Sequence, residues 1–117
     1  PTSLHIINAQ TLALMKPTAT LTNMARGGID DDAALAQALA DRRSAAAGLD
    51  VFEGEPQVHP GLLALPNVVL TPHIASATAA TRMKMAMLAA DNLIAVLGGA
   101  APLTPVNPPA RTGSVLR

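Results

Sequence analysis

The sequence predicts an open α/β sheet with parallel strands that ends in a long helix, and three observations support that fold class. Short runs of β-branched and small residues alternate with Ala- and Leu-rich stretches in the order helix, strand, helix, strand, loop, strand, helix. The connections between successive strands are too long for hairpins and suit right-handed crossovers between parallel neighbours. The composition fits one small domain: 117 residues, 50% hydrophobic and 14% charged, with a formal net charge of zero.

Residues 8–15 (NAQTLALM) read as a short helix, with Asn8 as its cap and Lys16-Pro17 as its stop. Residues 18–23 (TATLTN) read as a strand that runs into Ala25-Arg26-Gly27-Gly28, where the glycines permit a tight turn. From Asp30 the run DDDAALAQALADRR places three carboxylates at a helix start and two arginines at its end, with Leu35 and Leu39 on one face. Residues 45–52 (AAAGLDVF) are an apolar run suited to a strand buried on both faces, and the acid within it, Asp50, needs a reason. Residues 53–66 form a Pro- and Gly-rich loop with one helical turn at 61–65, and residues 67–70 make the last strand, closed by Thr71-Pro72. Thr78 caps a helix over 79–97, with Met83, Met87, Leu88 and Ile94 available for burial, and Gly98-Gly99 ends it. The tail from Pro102 to Arg117 is expected to be extended or mobile.

The same composition narrows the function. A zero net charge without a basic patch argues against nucleic acid as a partner, and no long apolar run or signal-peptide pattern points to a membrane. With no cysteine there is neither a disulfide framework nor a thiolate metal site, and cytoplasm is the expected compartment. His5 and His59 are scattered in turn-rich segments, so they are expected to be solvated and no metal is expected. Met83, Met85 and Met87 are expected to pack. Pro1 in place of Met fits an excised piece.

In open α/β sheets ligands sit beyond the carboxyl ends of the strands. Arg26, Glu55 and His73 follow strand ends directly or within a few residues, so one cleft can collect them. Reduction of a 2-oxo acid needs that set: a planar guanidinium to hold the carboxylate and polarise the carbonyl, an imidazole to give a proton, and a carboxylate to orient the imidazole. The hydride must come from a cofactor.

Asn23-Met24-Ala25-Arg26-Gly27-Gly28 resembles N-x-x-R-G, Gly48-Leu49-Asp50-Val51-Phe52-Glu53-Gly54-Glu55-Pro56 resembles G-L-D-V-F-x-x-E-P, and residues 71–78 (TPHIASAT) resemble T-P-H-I-G-S-A-T. In this order and spacing they are motifs of the D-isomer-specific 2-hydroxyacid dehydrogenases, and the resemblance covers residues 3–98. It implies the C-terminal portion of a Rossmann-like NAD(P)-binding domain over residues 1–98, followed by a Pro-rich tail over 99–117. By motif, Arg26 would bind substrate, Glu55 would pair with the imidazole and His73 would be the acid/base, while Asp50 would bond the nicotinamide carboxamide unless it is satisfied locally as a cap. Contacts to NAD or NADP would also come from Met24, Ala25, Arg26, His73, Ala75 and Ser76.

Residues 76–78, Thr81-Arg82, 91–94 and 106–108 look most like the glyoxylate/hydroxypyruvate reductases that also reduce 2-ketogluconate, which implies a small 2-oxo acid as substrate and a homodimer for the full-length enzyme. Three departures stand out. Ala75 replaces a usual Gly, and Asp30 replaces a usual apolar residue at what reads as a harmless helix start. The third is that the 117 residues hold no G-x-G-x-x-G loop and no N-terminal substrate domain. Three expectations follow: a portion of a reductase, a non-catalytic nucleotide-sensing module of the corepressor kind, or a truncated piece inactive by itself.

Overall fold

The computed structural model describes residues 2–107. The chain divides into two compact units, Pro1–Ala75 and Ser76–Arg117. The first unit holds α1 (Ala9–Leu12), β1 (Thr20–Asn23), α2 (Asp32–Ala40), β2 (Ala46–Leu49), α3 (Pro60–Leu63) and β3 (Val68–Leu70), and the second holds α4 (Ala79–Leu97). The three strands form one parallel sheet in the order β1-β2-β3, with Asn23 opposite Leu49 and Leu49 opposite Leu70. All three therefore end at the same edge, where the site residues lie.

Each element follows from local chemistry. Asn8 caps α1 by accepting from the Gln10 and Thr11 amides, while Thr11 returns a bond to the Asn8 amide. The helix stops at Leu12, and tighter bonds from Leu14 to Thr11 and from Met15 to Leu12 wind down the turn before Pro17. Asp31 caps α2. Leu35 and Leu39 lie in the core with Leu12, Ala47, Leu49, Phe52 and Leu62. Val51 is buried as well, and Leu21, Val68 and Leu70 pack against the cluster from the strands.

Several expectations need correction. The sheet buries one face fully within this unit: Ala47 and Leu49 are buried, whereas on the other face Ala46 and Gly48 of β2 are half-buried and Thr20, Thr22 and Val69 are exposed, so β2 is only partly covered on that side. Asp30 does not start the helix. It is 3% exposed and forms an isolated parallel bridge with Ile7, two residues before α2 begins. Arg42 and Arg43 lie beyond the Asp41 cap, so no basic residue occupies the last turn of α2. The helical turn expected at 61–65 starts at Pro60, capped by His59.

In the second unit, α4 matches the expected bounds, with the Thr78 hydroxyl accepting from the Thr81 amide and Gly98 at the C-cap. None of its residues is buried, however, and Met83, Met85, Met87 and Ile94 are each more than half exposed. The expected packing of these side chains is absent within the unit. Thr104 returns to the helix through two hydrogen bonds with Asn92 at 3.0 Å. Residues 108–117 of the expected tail lie outside the described residues. Among the described residues no helix is long and apolar enough to cross a membrane.

Candidate active site

Three loops leave the carboxyl edge of the sheet, and a few side chains tie them together. The loop after β1 is ordered by Asn23, whose Oδ1 accepts from the Ala25 amide at 2.9 Å while Nδ2 donates to the Arg26 carbonyl at 3.1 Å and to Asp30 Oδ2 at 2.8 Å. Gly27 follows because there is no room for a side chain: a Cβ there would lie 1.8 Å from the Phe52 carbonyl oxygen. The β1 and β2 loops thus meet backbone to backbone.

The loop after β2 is anchored to α2, since the Glu53 amide donates to buried Asp32 at 3.0 Å. Burial raises the carboxyl pKa of both Asp32 and Asp30, although each accepts a hydrogen bond. Glu55 bends back so that Oε1 accepts from the Phe52 amide at 3.0 Å, which leaves Oε2 to meet Nδ1 of His73 at 2.8 Å. The His73 bond foremost, then the Phe52 amide, holds the Glu55 carboxyl below the ordinary carboxylate range, and the charge of Arg26 adds to the effect.

The loop after β3 turns on Asp50. Its carboxylate accepts the Thr71 hydroxyl, the Ile74 amide at 2.8 Å and the Ala75 amide at 2.8 Å. The Thr71 hydroxyl first, then those two amides, hold this carboxyl low as well. The acid after an apolar strand thus has a local reason: it staples the segment that carries His73. That staple has a strained residue to hold, because His73 has φ +52°, a region that costs a non-glycine residue about 1–3 kcal/mol. Bonds on both sides of the residue and on its ring keep it there.

Glu55 and His73 line one side of an apolar cavity of about 300 Å³ with Phe52, Val58, Leu63 and Leu70. Among the described residues Nε2 of His73 has no partner. Arg26 does not line that cavity, although its charge reaches Glu55. It lines a separate depression with Leu4, Gly27 and Gly28, and its Nη1 donates to the Ala25 carbonyl at 2.7 Å. Met24 is 66% exposed, and Ser76 opens the second unit, with its carbonyl accepting from the Thr78 amide. His5 stays partly exposed and bonds Glu53 Oε1 through Nε2 at 2.7 Å, while His59 is exposed and caps α3. Sequence reasoning gave no role to Asn23, Asp32 and Thr71; the signal for Asn23 and Thr71 is their place in the motifs at strand ends, and Asp32 is hidden among the acids at the start of α2.

A parallel sheet whose ionisable side chains gather beyond the strands' carboxyl ends has them where open α/β folds bind their ligands. The chain belongs to the D-isomer specific 2-hydroxyacid dehydrogenase family, whose NAD binding domain matches residues 1–75. It is 55% identical over 103 residues to the glyoxylate reductase of Thermococcus onnurineus, covering 88% of this chain and 31% of that protein. To the 2-ketogluconate reductase of Gluconobacter oxydans it is 49% identical over 106 residues, covering 91% and 34%. Among solved structures, the NADPH-dependent glyoxylate/hydroxypyruvate reductase of Sinorhizobium meliloti, in complex with NADP and malonate, superposes with a TM-score of 0.86 at 47% identity, covering 90% of this chain and 33% of that one. The chain therefore spans about a third of the length of the curated relatives it matches.

Proposed function

We propose that these residues supply the acid/base and substrate-orienting part of an NAD(P)H-dependent oxidoreductase that reduces a small 2-oxo acid, such as glyoxylate or hydroxypyruvate, to the 2-hydroxy acid. The observation that carries this reading is the pairing of His73 Nδ1 with Glu55 Oε2 at 2.8 Å, with Nε2 free of partners among the described residues. A carboxylate on one ring nitrogen fixes the imidazole plane and leaves the other nitrogen to exchange a proton with substrate.

A reduced nicotinamide, when bound, would supply the hydride for the carbonyl carbon. The carbonyl oxygen then takes its proton from His73 Nε2, leaving a neutral ring that keeps its Nδ1 proton and donates it in the hydrogen bond to Glu55 Oε2. In the reverse direction Nε2 takes the hydroxyl proton. Arg26 would exchange its bond to the Ala25 carbonyl for the substrate's carboxylate and carbonyl oxygens, a bidentate match for its planar fork.

The residues present suit the nicotinamide end of the cofactor. Asp50 has used three of roughly four acceptor sites, and the last, on Oδ2, can take a carboxamide N–H. Met24, Ala25 and Ala75 would flank it. No glycine loop for the pyrophosphate occurs in the 117 residues. By the same resemblance the full-length protein would be a cytoplasmic homodimer.

The test is oxidation of NADH and NADPH by the full-length protein, followed by absorbance, with glyoxylate and with hydroxypyruvate. Turnover with at least one pair is expected, and Arg26→Ala should raise KM for the acid by about tenfold or more, since a charge-assisted bond is lost. A folded protein that consumes neither cofactor with either acid would overturn the reading.

A further inference from the structure

Asp30 has no part in the chemistry above, yet it is 3% exposed and its carboxylate faces one partner, the side-chain amide of Asn23. That amide has two protons and one oxygen to satisfy. The oxygen holds the Ala25 amide and one proton holds the Arg26 carbonyl, so both bonds reach into the loop that presents the guanidinium. The other proton goes to Asp30, further along the same connection, at 2.8 Å.

Asp30 is itself fixed by backbone bonds on either side of it, from the Ile7 amide to the Ile29 carbonyl at 3.1 Å and from the Asp31 amide to the Ile7 carbonyl at 2.8 Å. The segment also begins with His5 donating to the Gly28 carbonyl at 2.8 Å. An acceptor at position 30 therefore sets the rotation of the Asn23 amide from a rigid base. Without it a buried N–H has no partner, and the amide is free to turn toward another acceptor and release the loop.

We propose that Asp30 is a positioning residue: through Asn23 it fixes where the Arg26 backbone sits, and so how the guanidinium meets the carboxylate of a 2-oxo acid. This rests on the role given to Arg26 under Proposed function. The resemblance puts a usual apolar residue at this position, so the role is this chain's own: here Asp30 needs only to accept a hydrogen bond, which the amide of Asn can do and the isopropyl group of Val cannot.

The experiment compares Asp30→Val and Asp30→Asn with wild type in the full-length protein, by steady-state kinetics and by amide hydrogen exchange at Ala25. Asp30→Val should raise KM for the 2-oxo acid about tenfold with KM for the nicotinamide cofactor unchanged, and should speed exchange at Ala25, while Asp30→Asn stays within about twofold on both measures. A loss of fold would lower kcat and disturb cofactor binding together, and unfolding temperatures of both variants report it directly. The proposal is overturned if Asp30→Val leaves KM for the acid and Ala25 exchange as in wild type, or if Asp30→Asn behaves like Asp30→Val. If wild type reduces no 2-oxo acid, the functional reading fails, and Ala25 exchange still decides whether Asp30 holds the loop.

Discussion

The two units of the chain are both rich in aliphatic side chains and use them in opposite ways. Residues 2–75 bury Leu12, Leu35, Leu39 and Leu62 almost completely, whereas α4, the longest helix, buries nothing within its own unit. The first unit is held by packing across short elements, none of which would persist alone. The second is a helix held by its Ala-rich sequence, its Thr78 cap and the Asn92–Thr104 bonds. Hydrophobic letters at helical spacing set the helix in both, but burial requires a facing surface that the letters do not name.

The largest expected effect separates the units directly. Leu39→Ala should cost about 2–5 kcal/mol in denaturant unfolding, as a large-to-small change in a packed core, while Ile94→Ala should stay within about 0.5 kcal/mol. Similar losses at both positions would break the comparison. Glycines sharpen it next. Gly27→Ala should cost about 1–3 kcal/mol, because the new methyl group meets the Phe52 carbonyl, and should also raise KM for the 2-oxo acid. Gly99→Ala, with φ +82° and nothing within 4 Å of an added Cβ, should cost only the left-handed strain of about 1 kcal/mol.

A smaller effect concerns the cap. Thr78→Ala should cost α4 about 1 kcal/mol, visible as faster amide exchange at Thr81, with the unfolding of the first unit unchanged. Smallest is the pH dependence, confined to the first unit. Glu55 has a folded pKa below its unfolded one, so its contribution is present above the unfolded value and lost as pH falls through the folded one. Asp30 is shifted upward, so its contribution has the opposite sign: it is present below the unfolded value and lost as pH rises through the folded one. Unfolding temperatures should therefore show the gap between wild type and Glu55→Gln closing in acid, while Asp30→Asn gains on wild type as pH rises.

These contrasts also mark what is legible in the sequence. The bounds of α4 are readable because Thr78 and Gly98 act within one turn of themselves. Glu55 and His73 are readable because their motifs sit at fixed distances past strand ends. Asp30 is misread because its neighbours in sequence, Asp31 and Asp32, suggest a solvated helix start, whereas its partner Asn23 lies across the loop. The exposure of Met83 and Ile94 escapes the sequence for the same reason, since the periodicity of a helix says which side chains share a face and not what meets that face.

The central claim is that the first unit holds His73 for proton transfer. Turnover by His73→Ala in the full-length protein, measured alongside cofactor affinity by fluorescence titration, tests it most directly. Removing a group needed in the transition state should lower kcat by about a hundredfold or more and leave the cofactor dissociation constant within about twofold. Unchanged turnover with weakened cofactor binding would contradict it and make His73 a part of the nucleotide site alone.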